Sequence, residues 1–289
     1  MARDPELAAH QEWLGYVQPV GLVVSPPALV EAQAHVNRNI VAEHRRFLEC
    51  VEEVELHGVS QPVRAITDLP RFFLEVYGWE KPDLVGGPGA DPLPDNLEVA
   101  LPEYGETLRP TYAVREIEPK PGGSPWLLLI QVLPLGTDLD AVTAHDDRGW
   151  AASPQARVER LLRETQVPIG LLVNATHLRL VYAPRGENSG HATFAVQAMA
   201  EVAGRPIVAA FHMLLEKDRL FILPESRRLP ALLAKSRQYQ SLVSTQLASR
   251  SSPPCTSYCG ASRPPTSPAR GHCSGTPCAK TRTTCMRAS

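Results

Sequence analysis

The strongest constraint on this chain is a break in composition after Arg250. From Ser251 to Ser289 there is no Leu, Ile, Val or Phe, so the stretch has nothing with which to build a core, and its composition predicts disorder. It carries Arg263, Arg270, Lys280, Arg282 and Arg287 with no acidic residue. The body before it holds 24 basic and 31 acidic residues, a charge of −7. Five of the six cysteines, Cys255, Cys259, Cys273, Cys278 and Cys285, also fall in the tail. They lack the paired C-x-x-C spacing of zinc modules, and His272 is the only imidazole near them.

A native basic tail is a second reading, and translation in a shifted frame is a third. Codons can be assembled from the third base of one residue and the first two of the next. Tyr258–Cys259 and His272–Cys273 then specify Leu whatever the wobble base. GC-rich choices elsewhere turn the tail into an amphipathic sequence that would prolong a helix begun at Leu229. The expectation is an out-of-frame tail on an N-terminal fragment.

Met1 to Trp13 has no apolar core of a signal peptide. The longest apolar run, Trp126 to Leu135, is broken by Gln131 and Pro134 and is too short to span a bilayer. A soluble, cytoplasmic protein with no membrane partner is expected.

Ser25-Pro26-Pro27 is a helix start, and Val30, Val36, Ile40, Val41, Phe47, Leu48, Val51 and Val54 continue an apolar stripe. A second helix runs from Asp68 to a stop at Gly78, and Gly86 to Pro94 reads as a loop. Leu97, Val99 and Leu101 alternate as a strand, Tyr112 to Val114 form a short one, and Trp126 to Leu133 suit a strand covered on both faces. Ser153-Pro154 caps a helix with Val158, Leu161 and Leu162 inward. Ile169–Val173 and Leu178–Tyr182 flank Asn174-Ala175-Thr176, a hairpin turn. Pro206–Leu215 and Leu229–Leu247 read as helices. The class is α/β, a mixed sheet flanked by helices, with a disordered tail. The expected segments are a helical 1–60, an α/β domain over 61–200, a helical 201–250, and the tail 251–289.

The order helix, three strands, helix, strand, strand resembles the restriction-endonuclease-like fold of PD-(D/E)xK nucleases. That resemblance puts Leu108-Arg109-Pro110-Thr111 at the Pro-Asp motif and Ile130-Gln131-Val132-Leu133 at the Glu-x-Lys motif. Thr111 then stands for the acid, Gln131 for the glutamate and Leu133 for the lysine, so no charge remains to hold Mg²⁺. The hairpin Gly170 to Tyr182 also resembles one that closes such domains in restriction subunits.

Leu101 to Tyr112, Trp126 to Asp140, Arg163 to Tyr182 and Tyr239 to Ala248 are similar to the N-terminal region of large bacterial restriction–modification adenine methylases, both single-chain (type IIG) and phage-defence (DISARM-like). The resemblance implies S-adenosylmethionine and Mg²⁺ in full-length relatives, and double-stranded DNA and other defence-system subunits as partners. Neither cofactor is expected here: Thr111, Gln131 and Leu133 leave no charge for Mg²⁺, and for S-adenosylmethionine chemistry Ser25-Pro26-Pro27 is followed by Ala28 instead of a base-stacking aromatic, with no Gly-rich motif before it.

The expected function is a catalytically inactive nuclease-like domain with a structural or DNA-positioning role. The alternatives are an active Mg²⁺-dependent endonuclease with displaced carboxylates such as Asp138 or Glu116, and an interaction scaffold. Arg109, Arg115, Lys120, Arg179 and Arg185 are candidate phosphate contacts. Asp138 and Asp140, with His145, Asp146 and Asp147 nearby, are weak cation candidates against a solvated loop. Glu75 could be a helix carboxylate of the nuclease type but reads as a surface residue, and Cys50 reads as packed rather than nucleophilic.

Overall fold

Helix boundaries follow from short-range chemistry. Asp68 accepts a hydrogen bond from the Arg71 N–H at 2.9 Å, Pro70 sits in the first turn, and Gly78 ends the helix at φ 71°. Ser153 caps the helix at Pro154 in the same way, accepting from the Ala156 N–H at 3.3 Å. In the computed structural model, which describes residues 4–21, 23–56, 58–90, 92–119, 121–142 and 149–239, the helices are α1 (Pro5–Val17), α2 (Pro26–Glu31), α3 (Val41–Glu49), α4 (Leu69–Tyr77), α5 (Pro154–Thr165), α6 (Val196–Met199) and α7 (Arg205–Leu215). Residues 229–239 are also helical. The chain divides into units Met1–Ser249 and Arg250–Ser289, and every described residue belongs to the first. The tail cysteines, Lys120, His145, Asp146, Asp147 and the expected helix beyond residue 239 lie outside the described residues.

Seven strands form one mixed sheet: β1 (Val20–Gly21), β2 (Leu84–Gly86), β3 (Tyr112–Arg115), β4 (Trp126–Val132), β5 (Ile169–Val173), β6 (His177–Tyr182) and β7 (Gly190–Ala195). Their order is β1-β7-β6-β5-β4-β3-β2. Every neighbouring pair is antiparallel except β4 and β5, which run parallel and are joined through α5. The chain therefore draws an antiparallel meander β2-β3-β4, a helical crossover and a hairpin β5-β6. The sheet is apolar on both faces, as a covered sheet must be. One face carries Val114, Leu128, Ile130, Leu171 and Leu180 against a core that reaches from Trp13 and Phe47 through Phe72 and Phe211 to Leu233. The other carries Ala113, Leu129, Leu172 and Val181 against Val158, Leu161 and Leu162 of α5.

Three expectations are corrected. The stripe from Val30 to Val54 is not one helix. Gln33 adopts φ 50° and the chain closes a Schellman cap, with Ala34 N–H bonded to Leu29 O at 2.9 Å and Gln33 N–H to Val30 O at 3.0 Å. Glu52–Val54 then pairs with Val63–Ala65 as a separate ribbon. The alternation at Leu97, Val99 and Leu101 does make a strand, but Val99–Leu101 pairs with Glu106–Leu108 in a second ribbon beside α5. The first strand of the meander is Leu84–Gly86, which overlaps the expected loop. There the chain runs so close to β3 that a side chain at Gly87 would meet the Tyr112 ring. Among the described residues, no helix is long and apolar enough to cross a membrane.

Candidate functional site at the carboxyl end of the parallel strands

Side chains alternate along β4, so Gln131 and Leu133 share the face of Leu129, which packs under α5. Thr111 precedes β3 and shares that face with Ala113, two residues on. All three therefore stand on one face at the carboxyl end of β4, where open α/β sheets usually bind ligands. A cleft of about 550 Å³ lies there, walled by Leu108 and Arg109 at the end of the second ribbon, Gln131 and Leu133 of β4 and its extension, and Arg157 and Leu161 of α5.

Thr111 ties β3 to β4. Its N–H donates to Ile130 O at 2.8 Å, and its hydroxyl accepts from the Val132 N–H at 3.0 Å. Gln131 Nε2 donates to Val132 O at 3.3 Å, and the Leu133 N–H donates to Val173 O at 2.7 Å, extending the parallel pairing. A hydroxyl, a carboxamide and an alkyl chain do not fit the hard, anionic oxygen set that Mg²⁺ needs. Among the described residues, no cluster of three or more His, Cys, Asp or Glu could hold a metal ion.

The arginines of the cleft are neutralised. Arg109 pairs with Glu98. Arg157 pairs with Glu106, donates to Trp150 O at 2.6 Å and lies 5.7 Å from the Trp150 ring centroid. Reading the sequence alone missed Arg157, yet the spacing Pro154, Arg157, Val158, Leu161 along α5 was a signal that it shares the inward flank.

Arg179 and Asp140, a phosphate candidate and a cation candidate, satisfy each other. The Arg179 side chain is 7% exposed and grips Asp140 through two bonds of 2.6 and 2.7 Å. It also donates to Thr193 Oγ1 at 2.8 Å and Gln155 Oε1 at 3.3 Å. The guanidinium is turned inward, away from any phosphate, and its hydrogen bonds hold the Asp140 carboxyl below its ordinary pKa. Asp138 Oδ1 accepts from the Asp140 and Ala141 N–H groups at 2.8 and 3.2 Å, so it shapes the turn. Two histidines not anticipated from sequence, His177 on β6 and His191 on β7, flank this pair. Burial and then the Arg179 charge push both below the ordinary imidazole value.

The remaining candidates are dispersed. Arg115 ends β3 with its guanidinium 5.3 Å from the Trp126 ring centroid, and Arg185 follows β6; both are exposed at the sheet end opposite the cleft. Glu116 pairs with Arg228 at 3.4 Å at that same end. Glu75 is a surface carboxylate paired with Arg71 at 3.0 Å. Cys50 is buried, and burial pushes its thiol up to about 11, which leaves it unreactive at neutral pH. No protein-family model, curated protein or solved structure matches this chain.

Proposed function

We propose that residues 61–200 form a nuclease-like domain without metal-dependent cleavage, with a DNA-positioning or structural role of the kind the sequence resemblance to restriction–modification and phage-defence methylases implies. One observation carries this reading. The meander, crossover and hairpin bring Thr111, Gln131 and Leu133 to one face at the carboxyl end of β4. That is where the resemblance expects an acid and a Glu-x-Lys, and none of the three is charged. A displaced active site is disfavoured, because Asp138 is bound to backbone N–H groups and Glu116 to Arg228.

Among the described candidates, DNA contact falls to Arg115 and Arg185, since Arg109 and Arg179 are paired. With a body charge of −7, nonspecific affinity should be micromolar or weaker, roughly 10⁻⁶ to 10⁻⁴ M. The test incubates the chain with plasmid and Mg²⁺ or Mn²⁺, then titrates duplex DNA at rising salt. The expected result is no cleavage, with a salt-dependent shift whose slope falls by about two in the Arg115→Ala/Arg185→Ala variant. Metal-dependent cleavage abolished by Asp138→Ala would establish the displaced-carboxylate enzyme. Absence of any shift at low salt would leave an interaction scaffold.

A further inference from the structure

The cleft at the carboxyl end of β4 has the size and chemistry of a small-molecule site. Its volume, about 550 Å³, falls within the roughly 300–1,000 Å³ typical of pockets that enclose drug-sized ligands. Six apolar side chains, Leu108, Leu133, Pro134, Pro154, Val158 and Leu161, make up most of the lining. Charge then selects the occupant. The two cations in the wall, Arg109 and Arg157, are each matched by a carboxylate, Glu98 and Glu106. An anionic ligand would have to displace Glu98 or the part-buried Glu106. A cationic one would find no carboxylate among the lining residues to pair with. An uncharged molecule leaves both pairs intact and needs no counter-ion, and desolvating it costs least. Gln131 gives the wall a polar handle. Gln131 spends Nε2 on a neighbouring carbonyl at 3.3 Å, while its Oε1 accepts no bond from the described residues. A convergent polar group in an apolar pocket is what orients a ligand.

We infer that the cleft binds an uncharged, largely apolar small molecule that sets one polar group against the Gln131 carboxamide. The inference rests on the cavity and its charge balance and is independent of any role in DNA binding.

The probe is Nile red, a neutral apolar dye, titrated into the full chain and followed by fluorescence, with anilinonaphthalene sulfonate as the charged comparison. Leu133 is only partly buried, so Leu133→Phe (which fills the cavity) and Leu133→Lys (which places an ammonium in it) should both fold. Thr107→Trp, at an exposed position on the cleft wall, serves if either does not. The expected result is saturable one-to-one binding of Nile red, weakened about tenfold or more by each variant, with melting curves retained. No saturable binding, tighter binding of the sulfonate, or Nile red affinity unchanged in the folded variants would overturn the inference. Loss of the DNA shift with dye binding intact would count against the function proposed above and leave this one standing.

Discussion

Replacing Arg179 by Met separates a structural cation from a DNA contact. Methionine keeps the apolar stem buried between β5 and β7 and deletes the guanidinium. Two neutral partners then lose their donor, Thr193 Oγ1 at 2.8 Å and Gln155 Oε1 at 3.3 Å, at about 1 kcal/mol each. The pair with Asp140 adds less than about 1 kcal/mol, because Asp140 is 62% exposed and water resolvates it. The expected destabilisation is therefore about 2–3 kcal/mol. In a body of this size that lowers the melting temperature by roughly 5–10 °C.

Circular dichroism melts of wild type, Arg179→Met and Asp140→Asn measure it. Arg179→Met should cost more than Asp140→Asn, since the arginine serves three partners and the aspartate retains solvent. Affinity for duplex DNA should keep its salt slope in Arg179→Met. A melt unchanged within about 2 °C together with a slope reduced by about one would refute the reasoning and make Arg179 a phosphate contact.

Thr111→Val removes the acceptor for the Val132 N–H and should cost about 1–2 kcal/mol in denaturant titration, while Thr111→Ser stays within about 0.5 kcal/mol. Ala175 holds φ 67° in the β5–β6 turn, so Ala175→Gly should stabilise by about 0.5–1 kcal/mol in the same titration; a loss instead would mean the turn relaxes without strain. Acid should destabilise the body in two steps. His177 and His191 titrate below their ordinary 6.5 when folded, so the unfolded chain binds more protons as pH falls through and below that value, and stability present above it is lost. Asp140, held below its ordinary 3.8, adds a further loss as pH falls past that point. Melts from about pH 7.5 down to about pH 2 check the sequence, and Arg179→Met should flatten the first step, because the arginine charge helps to depress both histidines.

Local chemistry made much of the fold legible. Asp68 and Gly78 bracket α4 because a cap and a left-handed stop act within one turn. The hairpin was readable because Asn174 Oδ1 accepts from the His177 N–H at 2.7 Å, a bond spanning three residues. The run from Trp126 to Leu133 announced a strand covered on both faces, and β4 is that strand. Pairing was less accessible. Alternation at Val99 to Leu101 marks a strand without saying which sheet it joins, and Leu84–Gly86 is too short and too rich in glycine neighbours to stand out. The β7 segment Gly190 to Ala195 alternates Ala and Phe inward with His and Thr, a pattern of small residues that carries little hydrophobic signal.

The site was legible where position alone decided it and illegible where partners did. Once β4 is a strand, period two fixes Gln131 and Leu133 on one face. The charged candidates obey a different rule. In a sheet covered on both faces, an arginine on an inner strand must find acceptors for its guanidinium, and Arg179 finds Asp140, 39 residues earlier in the chain, together with Thr193 and Gln155. Arg109 with Glu98, Arg157 with Glu106 and Arg228 with Glu116 repeat the solution. These pairings take their acids from loops, ribbons and strand ends, whose sequence separation from the arginine carries no periodic signal. A charged residue read from sequence is a candidate ligand for phosphate or metal only until its partner is placed. Here that step turns a set of basic and acidic candidates into internal ties and leaves a neutral cleft between them.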